Sequence, residues 1–135
     1  MTQTDLSKSL SLRRAFDLEI LRREDERLAR EERDRAQQEA DHAAASALYD
    51  ILASDPDFLR ERGLKLERTR YAVTLYHPDF RLRAYFEAGE ASVSSADKRT
   101  ATTPTAAPRE QGVATSVSGA LDLFAHYLAD ESASC

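Results

Sequence analysis

Between Met1 and Asp55 the chain contains neither glycine nor proline. Ala, Leu, Arg and Glu dominate this stretch, and all four are strong helix formers. The composition predicts one long helix over about 11–53, with Ser9 or Ser11 as its N-cap. Some 40 residues at ~1.5 Å rise reach about 60 Å, which exceeds the width of a domain this chain can build. Such a helix needs sides that tolerate water, or another helix to lie against.

Its parts differ in character. Phe16, Leu18, Ile20 and Leu21 make an apolar start. From Arg22 to Arg35, six arginines and six acidic residues leave a net charge of zero, interrupted only by Leu28 and Ala29. Glu19–Arg23, Glu26–Arg30 and Glu31–Arg35 stand at i,i+4 in the favourable order, each worth roughly 0.2–0.5 kcal/mol on an exposed helix. Ala36, Ala40, Ala43 and Ala47 then form a small-residue stripe that lets another helix approach closely, continued by Leu48 and Ile51. A regular coiled coil is not expected, because the heptad through Leu18, Leu21 and Leu28 runs into Asp25, Glu32 and Arg35 at core positions.

Asp55-Pro56 closes this helix and caps a short one through Phe58 and Leu59, which ends at Gly63. Strict alternation follows. Tyr71, Val73, Leu75 and His77 lie on one side of a strand, and Phe80, Leu82, Ala84 and Phe86 on the same side of the next. Pairing across Pro78-Asp79 sets Leu75 opposite Leu82 and Val73 opposite Ala84, with Tyr76–Arg81, Thr74–Arg83 and Arg70–Glu87 on the other face. Pro-Asp is poor two-residue turn chemistry, so a four-residue connection is expected. The opposite parity of Leu64 and Leu66 implies a bulge or a strand start before Tyr71. Ala91–Ser95 is an optional third strand, and about 96–112, rich in Thr, Ala and Pro, reads as a mobile loop. A final helix over about Ser118–Ala129 carries Leu121, Phe124, Ala125 and Leu128 as its buried stripe, with Asp122 in its first turn.

The expected fold class is therefore α+β. Residues 1–53 form an extended, oligomerising helical arm, and residues 54–135 a small body. In that body Tyr71, Val73, Leu75, Leu82 and Phe86 pack on Leu121, Phe124 and Leu128, and on Leu48, Ile51 and Leu52. The composition limits this core: of the 41% hydrophobic residues many are alanine, and Leu, Phe, Val and Ile supply only 20% of the chain.

Function classes narrow by exclusion. No long apolar run suggests a membrane span, and the start of the chain lacks a signal-peptide pattern, so a cytoplasmic protein is expected. The single Cys135 supports neither an internal disulfide nor a multi-cysteine metal site. His42, His77 and His126 lack helical spacing to one another or to Cys135, so neither metal nor cofactor is expected. No serine sits in a G-x-S-x-G elbow, and four scattered glycines make no phosphate loop, so no enzyme is expected. The preference for Arg over Lys, 16 to 3, together with the alanine excess, suggests a GC-rich genome and a bacterial or phage source.

The expected function is a non-catalytic protein–protein interaction module, a small adaptor or regulator. It acts through the charged helix as a homodimer, with Leu18, Leu21, Leu28, Ala36, Ala40, Ala43 and Ala47 in contact. The alternative is a nucleic-acid-binding regulator. Residues 60–83 carry +4 within a chain of net charge −5, and Arg68, Arg70, Tyr76, Arg81, Arg83 and Tyr85 supply cations and stacking rings. The same residues also suit an acidic partner protein.

Overall fold

A computed structural model describes residues 10–97 and 110–133. Helix α1 spans Leu12–Ala53, α2 spans Pro56–Glu61, and α3 spans Val117–Ala133. Five strands, β1 (Lys65–Arg68), β2 (Ala72–Tyr76), β3 (Phe80–Glu87), β4 (Glu90–Asp97) and β5 (Glu110–Ala114), form one antiparallel sheet in sequence order. The fold is α+β. Among the described residues no helix is long and apolar enough to cross a membrane. The chain divides into two compact units, Met1–Ala36 and Gln37–Cys135, so the last part of α1 belongs with the sheet.

Local chemistry sets the element ends. The Ser11 hydroxyl accepts from the Arg14 amide at 3.1 Å and caps α1. The Asp55 carboxylate accepts from the Phe58 amide at 3.2 Å, with Pro56 in the first turn of α2. Gly63 follows α2 at φ 67°, the left-handed conformation that a helix terminus commonly requires. The Ser116 hydroxyl accepts from the Gly119 amide at 2.9 Å, which starts α3 earlier than expected and leaves Asp122 outside its first turn.

The β2–β3 register is the one alternation demands: Val73 pairs with Ala84, Thr74 with Arg83, Leu75 with Leu82 and Tyr76 with Arg81. Three residues, His77 to Asp79, connect the strands, one fewer than the expected four. The His77 amide donates to the Phe80 carbonyl at 2.9 Å, and the two rings stack at 4.4 Å between centroids. The parity break at Leu64–Leu66 is a strand of its own. Strand β1 sets Leu66 opposite Leu75, and a turn closes as the Thr69 amide donates to Ala72 at 2.9 Å.

Five strands replace the expected two or three. Strand β4 runs through Asp97, and β5 occupies residues 110–114, part of which read as loop; residues 98–109 of that expected loop lie outside the described residues. Strand β5 hides because Glu110-Gln111-Gly112-Val113-Ala114 has little strand propensity. Its glycine answers to packing: a Cβ at Gly112 would come within 2.6 Å of the Tyr127 hydroxyl and 3.2 Å of Leu123. Only a residue without a side chain lets α3 lie this close.

One sheet face is covered by α3 and by the later turns of α1. Ala45, Leu48, Val73, Leu75, Phe80, Leu82, Ala84, Phe86, Val93, Phe124 and Tyr127 share this core. Leu52, Leu121 and Leu128 pack at its margin, whereas Ile51 is exposed. The buried stripe of α3 is Ala120, Phe124, Tyr127 and Glu131; Ala125, expected in it, faces outward. The β3–β4 turn is a two-residue type with Ala88 at φ 53° and Gly89 at φ 81°. Asp41 of α1, buried beneath it, accepts from both turn amides, Oδ2 from Ala88 and Oδ1 from Gly89, each at 3.0 Å.

Candidate functional site

Within the first unit, residues 12–36 are helix with nearly all their side chains in water. Leu18 and Leu21 are 60% exposed and Leu28 is 50% exposed, while Leu12, Phe16 and Ile20 are exposed as well. Nine of its charged side chains pair within the helix. Arg22 bridges Glu19 and Glu26, Arg27 bridges Glu24 and Glu31, Arg23 meets Glu19 at 3.1 Å, and Arg35 meets Glu32 at 2.9 Å. Of the three expected pairs only Glu19–Arg23 forms. Glu26 and Glu31 turn instead to the arginines four residues before them, so that two guanidinium groups each hold two carboxylates. Hydrogen bonds from Arg22 and Arg23 hold the Glu19 carboxyl down to about 2. A similar bond from Arg27 lowers that of Glu24.

Ala36, Ala40 and Ala43 are exposed and Ala47 is half-buried. Asp41, Ala45 and Leu48 bury the other side of the same turns. The alanine stripe therefore remains open to a further helix.

Among the described residues, no helix covers the second sheet face. Tyr76, Arg81, Arg83 and Tyr85 share it with Thr74, Ser92, Ser94, Gln111 and Val113, as the strand register requires. Arg83, Tyr85, Ser92, Ser94, Gln111 and Val113 line a shallow recess of about 440 Å³. The Arg83 guanidinium lies 5.8 Å over the Tyr85 ring. Arg70 sits in the β1–β2 turn over Tyr71 at 5.6 Å, rather than in the expected pair with Glu87. Arg68 lies on the opposite, covered face. It donates to the Ser46 hydroxyl at 2.9 Å and stands over the Tyr49 ring, joining β1 to α1.

Two further places were not expected. An apolar groove of about 530 Å³ lies among the end of α1, α2 and α3, with Ile51, Phe58, Leu59, Leu121 and Leu128 in its walls. At the end of β5, Glu110 meets His126 and Asp130 of α3, with potential ligand atoms all within 4.8 Å of one another. Burial first, then the facing Asp130 carboxylate, push the Glu110 carboxyl above its ordinary value. The i,i+4 spacing of His126 and Asp130 is visible in the sequence, but attention to His–His and His–Cys pairs passes over it. Glu110 joins them only through the unexpected strand.

Comparison with protein-family models, with curated proteins and with solved structures found no match for this chain.

Proposed function

We propose that this protein is a non-catalytic interaction module, a small adaptor or regulator of the bacterial or phage cytoplasm, that works as a homodimer through residues 12–36. The observation that carries this reading is the exposure of Leu18, Leu21 and Leu28 on a helix of zero net charge from Arg22 to Arg35, many of whose charges pair internally. Large exposed apolar side chains in a row mark a contact surface. Charges that neutralise one another along the same helix leave little net repulsion when two copies approach. Polar heptad positions at Asp25 and Glu32 keep the association irregular and reversible.

Deleting residues 1–36 tests the reading, because the buried core belongs to the second unit. Chain 37–135 is expected to keep the far-ultraviolet dichroism of the folded sheet and to sediment as a monomer. Self-association undiminished by the deletion would place the contact elsewhere.

A second reading uses the open sheet face to bind single-stranded nucleic acid. Its support is the shared placement of Arg81, Arg83, Tyr76 and Tyr85, two cations beside two stacking rings. Here the expected result is oligonucleotide binding that falls steeply with salt and weakens when Arg81 and Arg83 are both changed to Ala. A double variant that binds as well as the parent removes this reading.

A further inference from the structure

We propose that Glu110, His126 and Asp130 form a binding site for a divalent first-row transition-metal ion of the zinc type. The argument begins with distance. His126 Nε2 and Asp130 Oδ2 lie 3.4 Å apart, one helical turn from each other on α3. Two ligands at about 2.1 Å from a tetrahedral metal are themselves about 3.4 Å apart. The pair is therefore already spaced as two neighbouring ligands. Glu110 arrives from β5, and all three ligand atoms lie within 4.8 Å of one another, a span that a small side-chain rotation closes.

A second observation comes from the sheet. Ser95 is the direct cross-strand partner of Glu110, and it is fully buried. Directly paired residues carry their side chains on the same face, so Ser95 and Glu110 project from neighbouring positions toward α3. The Ser95 hydroxyl makes no hydrogen bond, and neither does the buried Glu110 Oε2. Buried polar atoms left so are rare in folded proteins, because each has surrendered its water. Their presence together, next to a cluster of ligating groups, points to an occupant that satisfies them.

Charge gives the sign of that occupant. Glu110, Asp130 and the nearly fully buried Glu131 bring three carboxyl groups to one imidazole. A cation offsets their mutual repulsion. The donor set then selects the cation: magnesium and calcium favour all-oxygen cages, and copper(I) favours thiolate, whereas one imidazole with two carboxylates suits zinc. The bound ion would fasten strand β5, at the sheet's edge, to α3. Because an unfolded chain holds no such site, metal binding stabilises the folded form.

The test uses the full chain, stripped with chelator and titrated with Zn²⁺ by calorimetry and by thermal melting. One zinc per chain and a raised Tm are expected. His126→Ala removes a ligand whose side chain is 65% exposed, so the fold tolerates it. This variant and Asp130→Asn should each bind at least about tenfold more weakly. His42→Ala and Cys135→Ser should bind as the parent does. An unchanged Tm with no zinc uptake would mean that Glu110 and Asp130 simply share a proton, and would overturn the proposal. Undiminished binding by His126→Ala would overturn it too.

Discussion

Asp41→Ala lowers the free energy of unfolding by about 3 kcal/mol, read from urea denaturation monitored by circular dichroism. The carboxylate sits on α1, only 6% exposed, and accepts from the Ala88 and Gly89 amides at 3.0 Å each. The Gln37 side chain donates to the same carboxylate at 3.0 Å and fixes its orientation. Removing the acceptor orphans two turn amides at once, and hydrogen bonds to a charged group are the stronger kind. Asp41→Asn keeps one acceptor oxygen and turns an amide donor toward the other N–H, so its loss falls between the parent and alanine. The turn itself supplies the opposite sign. Ala88 holds φ 53°, a region in which an L side chain costs about 1 kcal/mol, and Ala88→Gly recovers about that amount. A loss under about 0.5 kcal/mol for Asp41→Ala would show that the turn stands without α1.

Asp41 also shows where sequence reading stops. Nothing about an aspartate in a charged helix distinguishes one that faces water from one that clasps a hairpin 47 residues later. The β2–β3 register was legible because one alternation satisfied both sheet faces, and a one-residue slip would have buried Arg81 and Arg83. The Asp55-Pro56 helix start and the Gly63 stop were legible because capping is local chemistry. Strand β5 was not, since its pairing with β4 and the closeness of Tyr127 to Gly112 are tertiary facts that override weak propensity. The individual charge pairs of α1 were legible in kind but not in partner. Glu26 and Glu31 each have an arginine four residues away on either side, and rotamers choose between them. The open face gathered Tyr76, Arg81, Arg83 and Tyr85 as the alternation required, while Arg68 belongs to the other parity and lies under α1.

Leu21→Gln with Leu28→Gln weakens self-association by at least about a hundredfold. Both leucines are exposed in the single chain, and they stand seven residues apart, two turns along one side of the helix. In a symmetric pair each substitution counts twice, so four apolar side chains lose their burial. At roughly 1.5 kcal/mol or more per leucine, the total exceeds the 2.7 kcal/mol or so that a hundredfold change requires. Glutamine has nearly the helix propensity of leucine, so helicity stays and only the contact goes. Retained self-association in the double variant would move the interface to the alanine stripe or to the apolar groove near Phe58 and Leu128.

The most direct measurement is the mass of the intact chain in solution by light scattering, at low and at high ionic strength. A homodimer held by apolar contact gives about 30 kDa, twice the 15.1 kDa of one chain, at both salt concentrations. A mass of 15.1 kDa at high protein concentration would contradict the account, because the exposed leucines of the first unit would then cover nothing in a second copy.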